Sequence, residues 1–581
     1  MQKNGKCGNI KADMVLINGR VYSPTENDKV VRGEAVIVEG GLIKAICSDN
    51  EAKNYIDSDT EIIDCCGNSI LPGLCDAHCH PNWSAGVFES CQLFDITGSA
   101  HDTVYEVIDR YLEKMREYVL EHDDIGVIRG TGWNRAFFSG ACSDIGWPTR
   151  HDLDKVCSDR PVIMESYCQH ALWVNTKAIE MAGLSKDTSD PDLGRFTREA
   201  DGYPAGLFFE MEGKALIENN LPGYDYSVEQ YKRSILRYQD EIAMPLGLTL
   251  INDCLHTENA TLAYKELAEE GKMNMRVRGV YHFADCSNLD ELDVIKKKIG
   301  QYDVDDIFVI NTIKIFMEGE FMTLEPYEEG YLKEHGLPER YRGTEFYDDI
   351  TAKRAVAAAM ETGLQIHIHA MGDRAVRQAV DSIVYGQEQT GKKNRNVIAH
   401  VMLINEEDKV RMGQNGIIAS CQPRWMIYDS DTNDFYQMMF GKRKALECYP
   451  NKSLIDAGCI VAYGTDFPVT PPPNPFHGMQ CAITRSVFEG DKTEYGTYKD
   501  TVLGPEDNPA KECVSLKEAV KGSSWSGAYQ MFLEDVTGSI EPGKSAELIV
   551  LDRDIEQCSV EEIYDIKVKA TVFKGRKVYS M

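Results

Sequence analysis

The segment Gly73-Leu-Cys-Asp-Ala-His-Cys-His-Pro81 decides how the rest of this chain is interpreted. The residues that lead into it, Asn68-Ser-Ile-Leu-Pro-Gly-Leu-Cys, have the composition of a buried strand. Side chains at positions i and i+2 of a strand point to the same face. His78 and His80 are therefore expected to project side by side from the carboxyl end of that strand. Two such imidazoles form half of a metal site, and the other half must come from elsewhere in the chain.

Seven further apolar segments have the composition of buried strands, and helix-like stretches lie between several of them. One of these stretches, residues 351–361, is rich in alanine and is followed by Gly363, a typical residue at the end of a helix. Alternating strands and helices predict a parallel sheet. Eight strands predict the α/β fold class and, within it, a (β/α)₈ TIM barrel. The seven segments begin at Leu248, Arg276, Phe308, Leu364, Asn396, Gly416 and Cys459.

Both ends of the chain are rich in β-type segments and contain the hairpin signals Asn18-Gly19 and Gly40-Gly41. We expect residues 1–70 and 536–581 to form one composite β-sandwich domain, and residues 71–535 to form the barrel. Residues 425–450 are expected to form a long excursion from the barrel.

The connection between the first and second barrel strands, about residues 82–246, is far longer than a βα connection requires, so it predicts an inserted subdomain. Helices are expected in it at about 102–121 and 227–243. The aromatic side chains between these helices either form the core of the insertion or face a substrate with an apolar part. They are Trp133, Phe137, Phe138, Trp147, Tyr167, Trp173, Tyr203, Phe208 and Phe209.

Metal-ligand types recur where other barrel strands end. His369 lies at the end of the fifth strand and His400 at the end of the sixth, while Asp466 follows the eighth. Because they are separated by whole βα units, these residues are expected at the same end of the barrel as His78 and His80. Histidine, carboxylate and water suit Zn²⁺ or a related ion such as Mn²⁺ or Fe²⁺.

Lys314, in the fourth strand, is the unusual member of this set because an ammonium group cannot bind a cation. A neutral lysine that reacts with carbon dioxide gives a carbamate, which could bridge two metal ions. The site therefore holds one or two ions in this interpretation. The alternatives are that Lys314 pairs with Glu318 or Glu320, and that Asp466 caps a helix.

Four other histidines are assigned lesser roles. His367 shares a strand face with His369 and is expected to contact a metal ligand without binding the metal ion itself. His170, in the insertion, is expected to reach the site as a contact to the substrate or its oxyanion. His256 and His282 follow the second and third strands and are expected to be structural.

Composition argues against several kinds of partner. The chain of 581 residues has 62 basic and 93 acidic residues and a net charge of −31, which disfavours nucleic acid and anionic membrane surfaces. The amino-terminal residues lack the apolar segment of a signal peptide, and no run approaches the roughly 18 apolar residues of a membrane span. We expect a cytoplasmic protein with reduced cysteines and a small-molecule substrate, and we consider a homodimer.

An ordered series of motifs along nearly the whole chain resembles the amidohydrolase superfamily, in its amidohydrolase-3 (YtcJ-like) branch, which includes N-substituted formamide deformylase. Two positions depart from the usual pattern: Glu318-Gly319 replaces Asp-Gly, and Ala546-Glu547 replaces Ala-Asp. The motifs are Leu71-Pro-Gly-Leu-Cys-Asp-Ala-His-Cys-His, Gly130-Thr-Gly-Trp-Asn, His170-Ala-Leu-Trp-Val-Asn, Gly202-Tyr-Pro-Ala-Gly-Leu, Ile313-Lys-Ile-Phe-Met-Glu-Gly, His367-Ile-His-Ala-Met-Gly-Asp, Ala399-His-Val, Gln422-Pro, Gly464-Thr-Asp-Phe-Pro and Gly538-Ser-Ile-Glu-Pro-Gly.

The resemblance implies a metal-dependent hydrolase that cleaves a C–N bond of an amide, N-formyl or N-acyl compound. A bound divalent ion lowers the pKa of its water from about 15.7 towards about 7, so that hydroxide attacks the carbonyl carbon. Asp466 is implied both as ligand and as general acid and base. The implied metal ligands are His78, His80, Lys314, His369, His400 and Asp466, and the predicted substrate contacts are Trp133, His170 and Arg424.

Three alternatives remain open at this point. A deaminase or a cyclic-amide hydrolase has the same fold, and a non-catalytic barrel scaffold would belong to another class. Deaminases of this superfamily usually carry a glutamate three residues after the fifth-strand histidine, where this chain has Gly372. A scaffold is disfavoured because every predicted metal position holds a competent ligand.

Overall fold

The computed structural model describes residues 11–96, 103–123, 125–134, 147–191, 194–319, 322–470, 472–492 and 494–581. Its centre is a sheet of eight parallel strands in which each strand pairs with the next barrel strand. The first two strands also pair, although a long insertion separates them in sequence. The strands are β1 (Leu74–Cys79), β2 (Leu248–Asp253), β3 (Arg276–His282), β4 (Phe308–Phe316), β5 (Gln365–Ala370), β6 (Val397–His400), β7 (Ile418–Cys421) and β8 (Val461–Tyr463).

The two edges of this sheet meet just beyond β8. The backbone N–H of Asp466 donates to the carbonyl of His78 at 2.7 Å, and the N–H of Thr465 donates to the carboxylate of Asp76 at 2.9 Å. Gly464 permits this approach, because a Cβ at that position would lie 2.5 Å from His78 N. The predicted parallel barrel is therefore confirmed, and the contact brings His78 next to Asp466.

Helices cover the outside of the barrel, and their ends follow from local sequence. The helix Asp349–Glu361 begins after Asp348, whose carboxylate accepts the N–H groups of Ile350 and Thr351. The predicted Gly363 follows it with φ of +84°. The principal helices of this layer are Glu258–Glu269, Asp290–Lys298, Asp349–Glu361, Asp373–Thr390, Glu406–Gln414, Asn451–Asp456, Pro475–Thr484, Leu516–Gly522 and Trp525–Gln530.

The long excursion after β7 is helical in several short pieces. Its segments are Pro423–Trp425, Asp431–Tyr436, Gln437–Phe440 and Lys442–Leu446.

Two smaller sheets lie outside the barrel, of which the first contains strands from the amino-terminal part of the chain and the second combines strands from both ends. Their facing apolar side chains, including Leu16, Val36, Ile70 and Val550, form one cluster. The first sheet has the order Leu42–Cys47, Ala35–Glu39, Met14–Ile17, Glu61–Asp64, and the second the order Arg20–Val21, Ser69–Pro72, Leu548–Leu551, Val568–Phe573, Arg576–Ser580.

The insertion after β1 contains a six-stranded sheet with its own apolar cores. The expected helices run from Val104 to Glu121 and from Val228 to Arg237, the latter continuing as a wider turn over Tyr238–Ala243. The strands are Cys91–Gln92, Ile128–Trp133, Val162–Ser166, Ala171–Val174, Arg195–Arg198 and Pro204–Phe209, and the shorter helices are Ser84–Phe88, Arg150–Asp154, Thr176–Met181 and Glu210–Glu218.

The aromatic stretch of the insertion is largely interior. Trp133, Trp147, Trp173, Phe208 and Phe209 are all buried in the cores of the insertion. The predicted aromatic residues Phe137 and Phe138 lie outside the described residues. Within the part of the chain that the structure describes, no helix has the length and apolar character needed to cross a membrane.

Candidate metal centre and active site

Three predicted ligands converge where the barrel closes. The Nε2 atoms of His78 and His80 lie 3.4 and 3.1 Å from Asp466 Oδ1. One ligand atom from each of these residues lies within 4.8 Å of the other two. All three side chains are buried.

The other three predicted ligands surround this point. The ring of His400 lies 4.8 Å from that of His78 and 4.6 Å from that of His369, measured between centroids. Lys314 Nζ lies 3.5 Å from His78 Nε2. All six residues line a single cavity, so the structure brings the whole predicted set together.

Hydrogen bonds to the Nδ1 atoms of two of the histidines, His78 and His400, leave their Nε2 atoms available to a metal ion. The Nδ1 atom of His400 lies 2.8 Å from Oε1 of Gln422. An amide oxygen only accepts, so Nδ1 carries the proton and Nε2 retains its lone pair. The Nδ1 atom of His78 lies 2.9 Å from Nε2 of His367, which permits the same arrangement. Contacts of this kind orient the ligands of metal sites.

Burial favours the neutral form of these imidazoles. It lowers the pKa of His78, His80 and His369 below the ordinary value. It also lowers the pKa of His400 to about 4. A neutral imidazole is the form that binds a metal ion.

Asp466 has a different electrostatic balance. Burial alone raises its pKa, but the hydrogen bond with His80 and the nearby His400 and Lys314 outweigh burial and lower the pKa. The carboxylate is therefore ionised at neutral pH. Asp466 and His400 both have a left-handed backbone, with φ of 58° and 76°, a conformation that non-glycine residues adopt mainly where structure imposes it.

Lys314 is buried beside the histidines rather than paired with an acid. Burial lowers its pKa, and its Nζ lies 4.9 Å from the ring of Phe316. Among the described residues no carboxylate forms an ion pair with it. Glu318, the alternative partner, instead accepts the Thr323 hydroxyl at 2.8 Å and the Gly372 N–H at 3.0 Å. Glu320 lies outside the described residues.

This donor set fits a divalent cation. Two imidazole nitrogens and a carboxylate oxygen point to one place, and a cation there would bind all three atoms. The second nitrogen of His80, Nδ1, has no hydrogen-bond partner among the described residues. Neutral histidines with an ionised aspartate are the protonation states that such a site requires.

The cavity, of about 380 Å³, extends from the barrel into the insertion. His170 lies in its wall and is the predicted insertion residue that the structure places there. The same wall contains Glu165, whose carboxylate lies 2.9 Å from Lys214 Nζ. Burial raises the pKa of Glu165 to about 7.

Two predicted substrate contacts lie away from the cavity lining. Trp133 is fully buried in the insertion, where its indole N–H donates to the carbonyl of Met164 at 3.0 Å. Arg424 forms an ion pair with Asp491 and stacks on Phe488. Both residues therefore stabilise the polypeptide in this structure.

Sequence reasoning missed several neighbours of the site. Trp83 stacks on His80 with ring centroids 4.0 Å apart, and Cys254 lies close to His78 and His367. Glu210 contacts His170. Trp83 follows the His-x-His segment by three residues, which was a usable signal, whereas Cys254 and Glu210 carry no local pattern that indicates a site.

The fold and this cluster together define the class of the protein: a TIM-barrel protein with a candidate metal centre at the mouth of the barrel. The model of the amidohydrolase family matches residues 61–579, and the chain belongs to that family. The resemblance to its amidohydrolase-3 branch is thus confirmed.

Similar proteins extend over the same length. A putative amidohydrolase, YtcJ of Bacillus subtilis (strain 168), is 28% identical over 97% of this chain and 98% of its own. N-substituted formamide deformylase of Arthrobacter pascens is 24% identical over 97% of each chain. The crystal structure of an uncharacterized metal-dependent hydrolase from Pyrococcus horikoshii OT3 has a TM-score of 0.69 at 22% identity, covering 94% of this chain and 99% of that one.

Proposed function

We propose that this protein is a metal-dependent amidohydrolase that cleaves a C–N bond in an amide, N-formyl or N-acyl group of a small molecule. The observation that carries the proposal is the approach of His78 Nε2 and His80 Nε2 to one oxygen of Asp466, at 3.4 and 3.1 Å. These atoms lie in the wall of a cavity large enough for a small ligand. Membership of the amidohydrolase family supports the same reaction class.

His78, His80 and Asp466 would hold the ion, with Lys314, His369 and His400 within the same cluster. When bound, a divalent cation, for which zinc is our proposal, supplies Lewis acidity and lowers the pKa of a coordinated water. Carboxylation of Lys314, which would favour two ions, is part of the proposal.

Asp466 is the proton carrier in this scheme. Its ionised carboxylate accepts a proton from the attacking water and then delivers it to the departing nitrogen. The backbone N–H of Asp466, which donates to the carbonyl of His78 at 2.7 Å, holds this residue beside the histidines for both transfers. His170, in the wall of the same cavity, contacts the substrate or its oxyanion. The products are a carboxylic acid, ionised at neutral pH, and an amine.

Hydrolysis at a carbonyl is favoured over deamination by the residues after β5. The position at which superfamily deaminases carry a glutamate is Gly372, whose N–H donates to Glu318. A Cβ at Gly372 would lie 2.0 Å from the carbonyl oxygen of Thr323, so a side chain is not tolerated there. Position 372 therefore provides no acid that could protonate the ring nitrogen of a deaminase substrate.

The remaining expectations stay predictions. They comprise a small-molecule substrate without nucleic acid or membrane partners, a cytoplasmic location and a homodimer.

The proposed function is tested by screening zinc-loaded protein against N-formyl amines, N-acyl amines, N-acyl amino acids and cyclic amides. We expect release of an amine from at least one class, loss of that activity with a chelator, and its return on adding zinc. His80→Asn should lose metal and activity, whereas His151→Asn, at an exposed position of the insertion, should retain both. Protein that takes up no divalent metal and hydrolyses nothing in the panel would refute the proposal.

A further inference from the structure

His170 is joined to Glu210 by two contacts within the insertion. Its Nδ1 lies 3.0 Å from Oε2 of Glu210, and the backbone N–H of Glu210 donates to the carbonyl of His170 at 2.9 Å. His170 lies in the turn just before the strand Ala171–Val174, and Glu210, 40 positions further along the chain, begins the helix Glu210–Glu218. A side-chain and a backbone contact together fix the position of one residue relative to the other.

Glu210 is held in an unusual conformation where the insertion meets the barrel. It is 7% exposed, and its φ of +62° lies in the left-handed region. A Cβ placed on Gly319, in the segment that follows β4, would lie 3.1 Å from the Glu210 carboxyl carbon. Backbone strain of this kind persists only where the surroundings impose it, and it occurs often at functional sites.

The Glu210 carboxylate determines which ring nitrogen of His170 is available to a ligand in the cavity. An ionised carboxylate only accepts hydrogen bonds, so Nδ1 of His170 carries a proton whether the ring is neutral or charged. Among the described residues Nε2 has no hydrogen-bond partner, and the side chain is 27% exposed in the cavity wall. A neutral ring therefore offers a lone pair at Nε2, and a protonated ring offers an N–H.

His256, another histidine of the cavity wall, has a structural role, because the protein itself provides partners for both of its ring nitrogens. Its Nδ1 lies 2.7 Å from the Thr261 hydroxyl, and its Nε2 accepts the N–H of Val280 at 3.1 Å. Both nitrogens are used within the protein, so none is left for a ligand. His170 differs because one nitrogen is anchored and the other is available.

We infer that Glu210 is the positioning residue for His170, and that His170 Nε2 is the atom that contacts the substrate. This inference rests on the proposed function, because it assigns His170 to the amide group of that substrate. Neutral Nε2 accepts a hydrogen bond from an N–H, and protonated Nε2 donates one to the carbonyl oxygen. In either state Glu210 keeps the ring in the same orientation, as carboxylates do for histidines in other active sites.

The assignment of Nε2 as the contacting atom is tested by placing two different amide side chains at position 170. A glutamine side chain can place its amide near the position of Nε2, whereas an asparagine reaches only the position of Nδ1. We expect His170→Gln to retain kcat/KM within about 10-fold of the wild type, and His170→Asn to lose about 100-fold. Equal losses in both variants, with unchanged thermal stability, would overturn the assignment of Nε2.

The role of Glu210 is tested by Glu210→Gln, with Glu180→Gln, at an exposed position of the insertion, as control. We expect kcat/KM to fall about 10- to 100-fold in Glu210→Gln, as for other groups that orient an active-site histidine. Zinc content and thermal stability should remain close to those of the wild type. No loss of kcat/KM would contradict a positioning role.

Nitrogen-15 NMR of histidine-labelled protein provides a readout independent of catalysis, with the His170 signals identified by their absence from His170→Gln. We expect protonated Nδ1 in the wild type and a changed proton distribution in Glu210→Gln. A neutral His170 with its proton on Nε2 would overturn the inference. If the wild type hydrolyses no amide, the proposed function fails, while these spectra still decide whether Glu210 sets the state of His170.

Discussion

The barrel mouth and the insertion border the same cavity but acquire their functional side chains in different ways. At the mouth, His78, His369 and His400 lie in barrel strands, near their carboxyl ends. In the insertion, His170 lies in a turn and depends on Glu210, which is distant in sequence. Strand periodicity therefore predicts the first region, whereas the second is determined by tertiary contacts.

The two regions also differ in the kind of side chain that they contain. The mouth contains the buried candidate metal ligands, one of them an ionised carboxylate, and burial there keeps the histidines neutral. The large aromatic side chains of the insertion fill its own core. We therefore expect changes at the mouth to abolish turnover, and changes in the insertion to affect orientation or stability.

The largest effect is expected for Asp466→Asn, which replaces the carboxylate that we propose as proton carrier and metal ligand with a neutral amide. We expect kcat/KM to fall by about 10²- to 10⁴-fold, measured by steady-state kinetics on the best substrate of the panel. Asp187→Asn, at an exposed position of the insertion, should be unaffected. A decrease of less than about 10-fold in Asp466→Asn would be below the usual contribution of general acid–base catalysis, and Asp466 would then not be the general base.

Lys314→Ala tests whether a carbamate on this lysine contributes to metal binding and activity at the barrel mouth. Loss of the carbamate should lower metal content and activity, and acetate or propionate should restore part of both by replacing its oxygens. Metal content by mass spectrometry and the rate with each acid measure this, with exposed Lys186→Ala as control. Full activity in Lys314→Ala without any added acid would exclude an essential carbamate.

The fold was accessible from sequence because each barrel strand combines an apolar run with neighbouring turn or helix signals. The predicted strands that begin at Leu248 and Arg276 start at those residues in the structure. The strand predicted to begin at Cys459 starts instead at Val461, since apolar composition alone does not define where pairing begins.

The site was accessible only in part. Spacing predicts His78, His80 and Asp466 because whole βα units return the chain to the same end of the barrel. Trp133 carries no comparable signal, since an aromatic side chain in an insertion suits a core and a binding pocket equally. Lys314 likewise has two possible acidic partners in sequence, Glu318 and Glu320. Only the folded backbone shows that the Glu318 carboxylate accepts the N–H of Gly372 instead.

The smallest effect is expected for Trp133→Phe in the insertion. It removes the indole N–H that donates to Met164 and leaves a buried carbonyl without that partner. The free energy of unfolding should fall by about 1–3 kcal/mol, with KM changed less than about twofold, as expected for a group without substrate contact. Denaturant unfolding and steady-state kinetics measure the two quantities. A rise in KM at unchanged stability would instead make Trp133 a substrate contact.

The central claim is that the barrel mouth binds a divalent metal ion between β1 and the residues after β8. Crystals grown with zinc and measured on both sides of the zinc absorption edge test it directly. The account predicts an anomalous peak within about 2.0–2.2 Å of ligand atoms from His78, His80 and Asp466. Zinc-loaded crystals with no peak among these residues, or with zinc bound only elsewhere, would contradict it.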